Sequence, residues 1–146
     1  MRRINNNKER GASLVEFSIA ATVFLTIMFG VIEFGRALWT HNALADAARK
    51  GARYAVVNPQ SAIEDVKKMV VYGNPEGGTQ PIVDNLTTDN VDVVYDGFGM
   101  DVGTVQVTIK EYDFNFIVPI VSTKMRMPNY TTTLTGESAG TSVDPL

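Results

Sequence analysis

The chain has 146 residues, no cysteine and one histidine, His41. Those counts exclude a disulfide framework, a thiolate nucleophile and a metal site built from cysteines or several histidines. The net charge of −3 gives no reason to expect nucleic acid as a partner. The charge is unevenly placed: Arg2, Arg3, Lys8 and Arg10 stand against Glu9 alone at the start, and nine basic residues face fifteen acidic ones from Ala12 onward.

From Leu14 to Phe34 the chain reads "LVEFSIAATVFLTIMFGVIEF". This is long enough to cross a bilayer as a helix. Its twelve Leu, Ile, Val and Phe residues favour insertion by roughly 4–7 kcal/mol. Two carboxylates at the bilayer centre, costed like aspartate, would cancel that gain at about 5–7 kcal/mol. Glu16 and Glu33 must therefore lie near opposite boundaries. Their spacing allows it, since 17 residues of helix span about 25 Å against a hydrocarbon core of about 30 Å. Arg36, one turn past Glu33, is the expected partner of that acid. The basic start predicts a cytoplasmic N-terminus and export of the rest. A removable secretory signal would be shorter and would end in a polar cleavage region, which does not follow Phe34.

The helical pattern instead continues as "GRALWTHNALADAARKGARYAVV", Gly35 to Val57, and stops at Asn58-Pro59. Leu38, Ala45, Ala48, Ala52 and Ala55 mark an apolar stripe. Asp46 precedes Arg49 and Lys50 by three and four residues on the wet side. The expectation is one helix from about Ala12 to Val57, with bends possible near Gly30, Gly35 and Gly51. Its small residues suit either close approach of another helix or packing of the chain's own sheet.

"SAIEDVKKMVVYG" predicts a short helix with Ser61 as N-cap, Glu64 completing a capping box, and Gly73 as its end. Ile63, Val66, Met69 and Val70 form its apolar face. "GNPEGGTQP" is a loop whose glycines lack the Lys-Ser/Thr of a phosphate-binding loop. The period then changes to two in "VDVVY" (Val91 to Tyr95) and "TVQVTIKEY" (Thr104 to Tyr112), with Val105, Val107 and Ile109 on one face. "NYTTTLTGES" (Asn129 to Ser138) predicts a third strand. "FNFIVPIV" is the most apolar run outside the span, and Pro119 argues against a central strand. It reads either as a buried crossover or as an exposed patch, with Phe114, Phe116, Ile117, Val118 and Ile120 meeting a partner or the membrane surface.

No nucleophile elbow, metal cluster or spaced serine–histidine–acid set is present, so neither catalysis nor a cofactor is expected. His41, Trp39 and Tyr54 read as interfacial or core residues.

The opening "RGASLVEF" resembles a type IV prepilin peptidase site, with Gly11 before the cut, Ala12 after it, and Glu16 at the fifth mature position followed by Phe17. The wider run, with its "EFGRALW" exit and "ALADAARKGARYAV" segment, resembles the TadE-like pseudopilins of tight-adherence (Tad, or Flp) pilus systems over residues 9–57. The resemblance implies cleavage by a prepilin peptidase and docking through Glu16 and Phe17. It implies, as partners, other pilins or pseudopilins and the assembly platform. Ala12 stands where major type IV pilins usually have phenylalanine, and the chain is far longer than a major Flp pilin, which implies a minor role.

The expected fold class is α+β, a long transmembrane helix continuing as a spine on a small antiparallel sheet. Its expected parts are a cytoplasmic leader (1–11), a transmembrane half-helix (12–35), an amphipathic half-helix (36–57) and an exported domain (58–146). The expected location is a bacterial inner membrane, in contact with lipid, with a single pass. Two functions follow: a minor pseudopilin, or an uncleaved envelope binding module tethered by the same helix.

Overall fold

The computed structural model describes residues 7–97, 103–117 and 124–136. Helix α1 runs unbroken from Asn7 to Val57, so it begins before Ala12 and includes Gly11. It ends where the Asn58 side-chain amide donates to the Tyr54 carbonyl, just before Pro59. From Leu14 to Phe34 the large apolar side chains face outward, and none of the most apolar window is buried. The helix is long and apolar enough to cross a membrane. Three polar side chains in this stretch are satisfied within the helix. Ser18 donates to the Leu14 carbonyl at 2.7 Å, Thr22 to Ser18 at 2.8 Å and Thr26 to Thr22 at 2.8 Å. Such back-bonds would lower the cost of placing these hydroxyls in hydrocarbon.

The second half of α1 is the spine of the domain. Its buried stripe is Thr40, Leu44, Ala47, Ala48, Gly51, Ala52, Ala55 and Val56. Leu38, expected in that stripe, is 48% exposed, and Ala45 lies at its edge. The helix turns Leu44 and Ala47 inward instead. The small residues make room for the chain's own elements, because α1 packs on α2 and on two strands of the sheet. On the wet face Lys50 pairs with Asp46 at 2.9 Å, and that hydrogen bond, with the nearby positive charges, holds the Asp46 carboxyl below its usual range.

Helix α2, Ile63–Tyr72, follows a 3-10 turn at Gln60–Ala62. Ser61 sits inside this turn, and Ala62 occupies the N-cap without a side-chain bond, so the expected capping box does not form. Pro59 starts the turn early: its carbonyl accepts the Ala62 N–H at 2.9 Å. Val66, Val70 and Val71 are buried, and Gly73 ends the helix in a left-handed conformation (φ 70°).

A capping box does occur further on, where Thr87 and Asn90 bond reciprocally ahead of strand β1, Val91–Asp96. Strand β2, Thr104–Ile109, lies between β1 and the last strand, which we label β5, Tyr130–Thr135. All pairings are antiparallel, with Val93 opposite Val107 and Ile109 opposite Tyr130. Val105, Val107 and Ile109 are fully buried and face the helices. Strand β2 stops at Ile109 rather than at Tyr112, because Glu111 takes a left-handed conformation (φ 56°) that turns the chain. The Asn90 side chain holds this corner by donating to the carbonyls of Lys110 and Glu111. Beyond it, β3 (Asp113–Asn115) and β4 (Lys124–Arg126) form a separate two-stranded sheet. The fold is α+β, a long apolar helix packed on a small antiparallel sheet.

Candidate functional site

The residues singled out by sequence fall at two levels of α1. Gly11, Ala12, Glu16 and Phe17 lie in its first turns, all exposed. A Cβ built at Gly11 meets nothing within 4 Å. Among the described residues no salt bridge reaches Glu16. The domain's own side chains therefore do not explain this carboxylate.

Glu33 is different. It is buried, and its two oxygens serve two elements. Oε2 accepts Arg36 Nη1 at 2.7 Å within the helix. Oε1 accepts the backbone N–H of Ile117 at 2.9 Å. Sequence reasoning found the first partner and missed the second, since a backbone amide has no signature in the sequence. Arg36 also lies over the Phe114 ring, 5.1 Å from its centroid, and Phe114 meets Phe116 edge to face at 5.2 Å. The end of β3 is thus fastened to α1 where the apolar segment ends.

This arrangement divides the apolar run 114–121. Phe114 belongs to the core and not to an exposed patch, because the β3 alternation turns it toward α1. Phe116 is half-buried against the core, and Ile117 is 72% exposed. Val118 and Ile120 lie outside the described residues.

Two hollows flank the contact. An apolar groove of about 590 Å³ follows α1 from Thr26 and Gly30 to His41, closed by Phe116, Met125 and Met127. A more polar cleft of about 340 Å³ lies between α1 (Arg36, Trp39, Thr40), residues 82–85 and β3. His41, read from sequence as an interfacial residue, joins α1 to β5 through Nδ1 and the Tyr130 hydroxyl at 2.8 Å. Among the described residues no group of three or more His, Cys, Asp or Glu side chains is placed to hold a metal.

The exposed apolar half, the glutamate one turn inside it and the alanine-lined spine lie on one helix, and that helix carries the family signal. Residues 11–53 match the family of TadE-like protein. The TadE-like segment starts at Gly11 and ends within the spine, so it covers the apolar half and Glu33–Arg36 and leaves out the sheet. The match is a similarity of this helical segment alone. No curated protein and no solved structure matches the chain.

Proposed function

We propose that the protein is a minor pseudopilin of a tight-adherence pilus, cut between Gly11 and Ala12 by a prepilin peptidase and held in the inner membrane by α1. The N-terminus would lie in the cytoplasm and the domain from residue 58 outside. The observation that carries this reading is Glu16, an exposed carboxylate one turn into an uncovered apolar helix, within the TadE-like match. A bare span inserts better without it.

In a bundle of such helices, Glu16 at the fifth mature position meets the ammonium of a neighbour's Ala12. In that low-dielectric setting the pair sets register more than it adds stability. Ser18, Thr22, Thr26 and Gly30 repeat every four residues and leave one face of α1 small, which permits close helix approach. The role is structural, with no chemistry of its own.

A second reading, an uncleaved tethered module, draws on the helix itself: α1 is helical from Asn7 through the expected cut. A peptidase would have to unwind that turn, and Gly11 eases this by about 1 kcal/mol relative to alanine. Mass spectrometry of the membrane-extracted chain, made in a host with the peptidase, separates the two. A terminus at Ala12 supports the pseudopilin, and a stable terminus at Met1 or Arg2 overturns processing. Glu16→Leu should insert and be cleaved normally, yet fail to co-purify with pilus components. Wild-type co-purification of that variant refutes the docking role.

A further inference from the structure

We propose that the cleft between α1, residues 82–85 and β3 seats the headgroup phosphate of a membrane phospholipid. The inference rests on residues 14–34 crossing a membrane, and on neither processing nor pilus docking.

The position follows from the helix. Glu33 closes the apolar segment, and Arg36, Trp39 and Thr40 lie three, six and seven residues beyond it. At 1.5 Å per residue Arg36 stands about 4.5 Å past the hydrocarbon edge, and Trp39 and Thr40 about 9 and 10.5 Å. The headgroup layer occupies about 5–8 Å on each side of a bilayer, the difference between a hydrocarbon core of about 30 Å and a total of about 40–45 Å. The cleft therefore extends from headgroup level at Arg36 to the outer edge of that layer at Trp39 and Thr40. Lipid is the ligand already present at that depth.

The lining suits a phosphate. Glu33 pins Arg36 through one nitrogen, and the rest of the planar fork can serve an anion with two parallel donors. Asn85 and Asn115 are exposed amides on the lining. Asp84, also exposed there, offers a carboxylate to a headgroup ammonium. Trp39 is 61% exposed, and Ile117 is still more so. An indole at this depth is a usual membrane-interface anchor. Cation, amides, carboxylate and indole around one small cleft match phosphate, ammonium and glycerol backbone together.

Trp39 is the chain's single tryptophan, so its fluorescence reports on the cleft directly. The full chain in maltoside micelles is titrated with short-chain phosphatidylethanolamine, with the matching diacylglycerol, and with inorganic phosphate. The expected result is a saturable change with the phospholipid alone. An equal response to diacylglycerol leaves apolar contact only and overturns the proposal. A response to inorganic phosphate at the same concentration makes the cleft a free-anion site and also overturns it. Arg36→Gln should weaken the phospholipid response about tenfold or more, as expected for a lost charge-assisted contact. Because that change also disturbs Glu33, Asn115→Leu serves as a second variant, with folding checked by circular dichroism. An unchanged response in both variants sinks the assignment. Flotation of the wild-type chain with vesicles tests the span separately.

Discussion

The amide of Ile117 donates to Glu33 Oε1 at 2.9 Å across a sequence separation of 84 residues. One carboxylate thereby serves two purposes. It is neutralised by Arg36 inside the helix, and it fixes the end of β3 where the apolar half of α1 meets the domain. A charge that would be awkward inside a membrane is a fastener at the edge of the apolar half of the helix.

Removing that fastener should loosen one segment before it affects the whole domain. Glu33→Ala leaves the Ile117 N–H without its acceptor and Arg36 without its ion pair, at a cost of about 1.5–3 kcal/mol, as for hydrogen bonds to a charged group. Glu33→Gln keeps an acceptor oxygen and should lose less. Native-state hydrogen exchange at Ile117 should speed up strongly in the alanine variant and mildly in the glutamine one. Equal protection in wild type and alanine variant would show that the bond carries no weight.

At Gly51 the spine approaches α2 closely. A Cβ built there overlaps Val70 Cγ2, and Val70 is fully buried on α2. Gly51→Ala gains about 1 kcal/mol of helix propensity. Overpacking typically costs about 1–3 kcal/mol, and Val70 has little room to turn away. The net expectation is a loss of about 1 kcal/mol, read by denaturant unfolding of the full chain. The sign should reverse in a Val70→Ala background, where adding Gly51→Ala should stabilise. If Gly51→Ala stabilises both backgrounds, the close approach of α1 and α2 is not limiting.

These contacts show which parts of the fold the sequence carries and which it hides. The strand alternation at Val105, Val107 and Ile109 and the stop at Gly73 were legible because each is a local pattern with strong contrast. The phase of the α1 stripe was not. Alanine lies on several sides of the helix, so Leu38 and Leu44 compete as core residues, and only packing against β2 and β5 selects Leu44. Ser61 looked like a cap because the sequence does not reveal that Pro59 starts a 3-10 turn ahead of it. The partners of Glu33 and His41 include a backbone amide and a tyrosine 89 residues away, neither of which leaves a local trace. At Gly11 and Glu16, the resemblance supplied the reading, and the fold adds only that both residues are exposed.

Alkaline pH should weaken the domain through its tyrosines. Burial, with Asp84 adding to it, pushes the Tyr112 hydroxyl up from 10.0 to about 12, and that hydroxyl donates to the Asp84 carbonyl at 2.7 Å. Burial also raises Tyr95 and Tyr130. In each case the unfolded chain loses its proton first, so the native state binds more protons and stability falls with rising pH. For Tyr112 the contribution is complete below pH 10 and is lost as pH rises toward about 12. Tyr112→Phe should be less stable at neutral pH for want of the hydrogen bond, but should lose less on going to pH 12. A parallel pH dependence of the two proteins would refute the assignment.

The last expectation separates two neighbours in the apolar run after β3. Phe116 is half-buried and packs edge to face on Phe114, whereas the Ile117 side chain is largely exposed and only its backbone is engaged by Glu33. Phe116→Asp places a carboxylate against Phe114 and the core, and should destabilise the domain by several kcal/mol, in the range of about 3–5 kcal/mol known for aromatic truncations in cores. Ile117→Asp leaves the main-chain bond in place, and its effect on stability should stay within about 0.5 kcal/mol, as for other surface changes. Its effect should appear at the membrane instead, where an added carboxylate opposes seating of the domain on anionic vesicles. Circular dichroism melts and vesicle flotation of the two variants give the comparison. If Phe116→Asp folds as well as wild type, Phe116 is a surface residue and the run is an exposed patch. If Ile117→Asp melts as early as Phe116→Asp, the whole run is structural and its outward face has no role at the membrane.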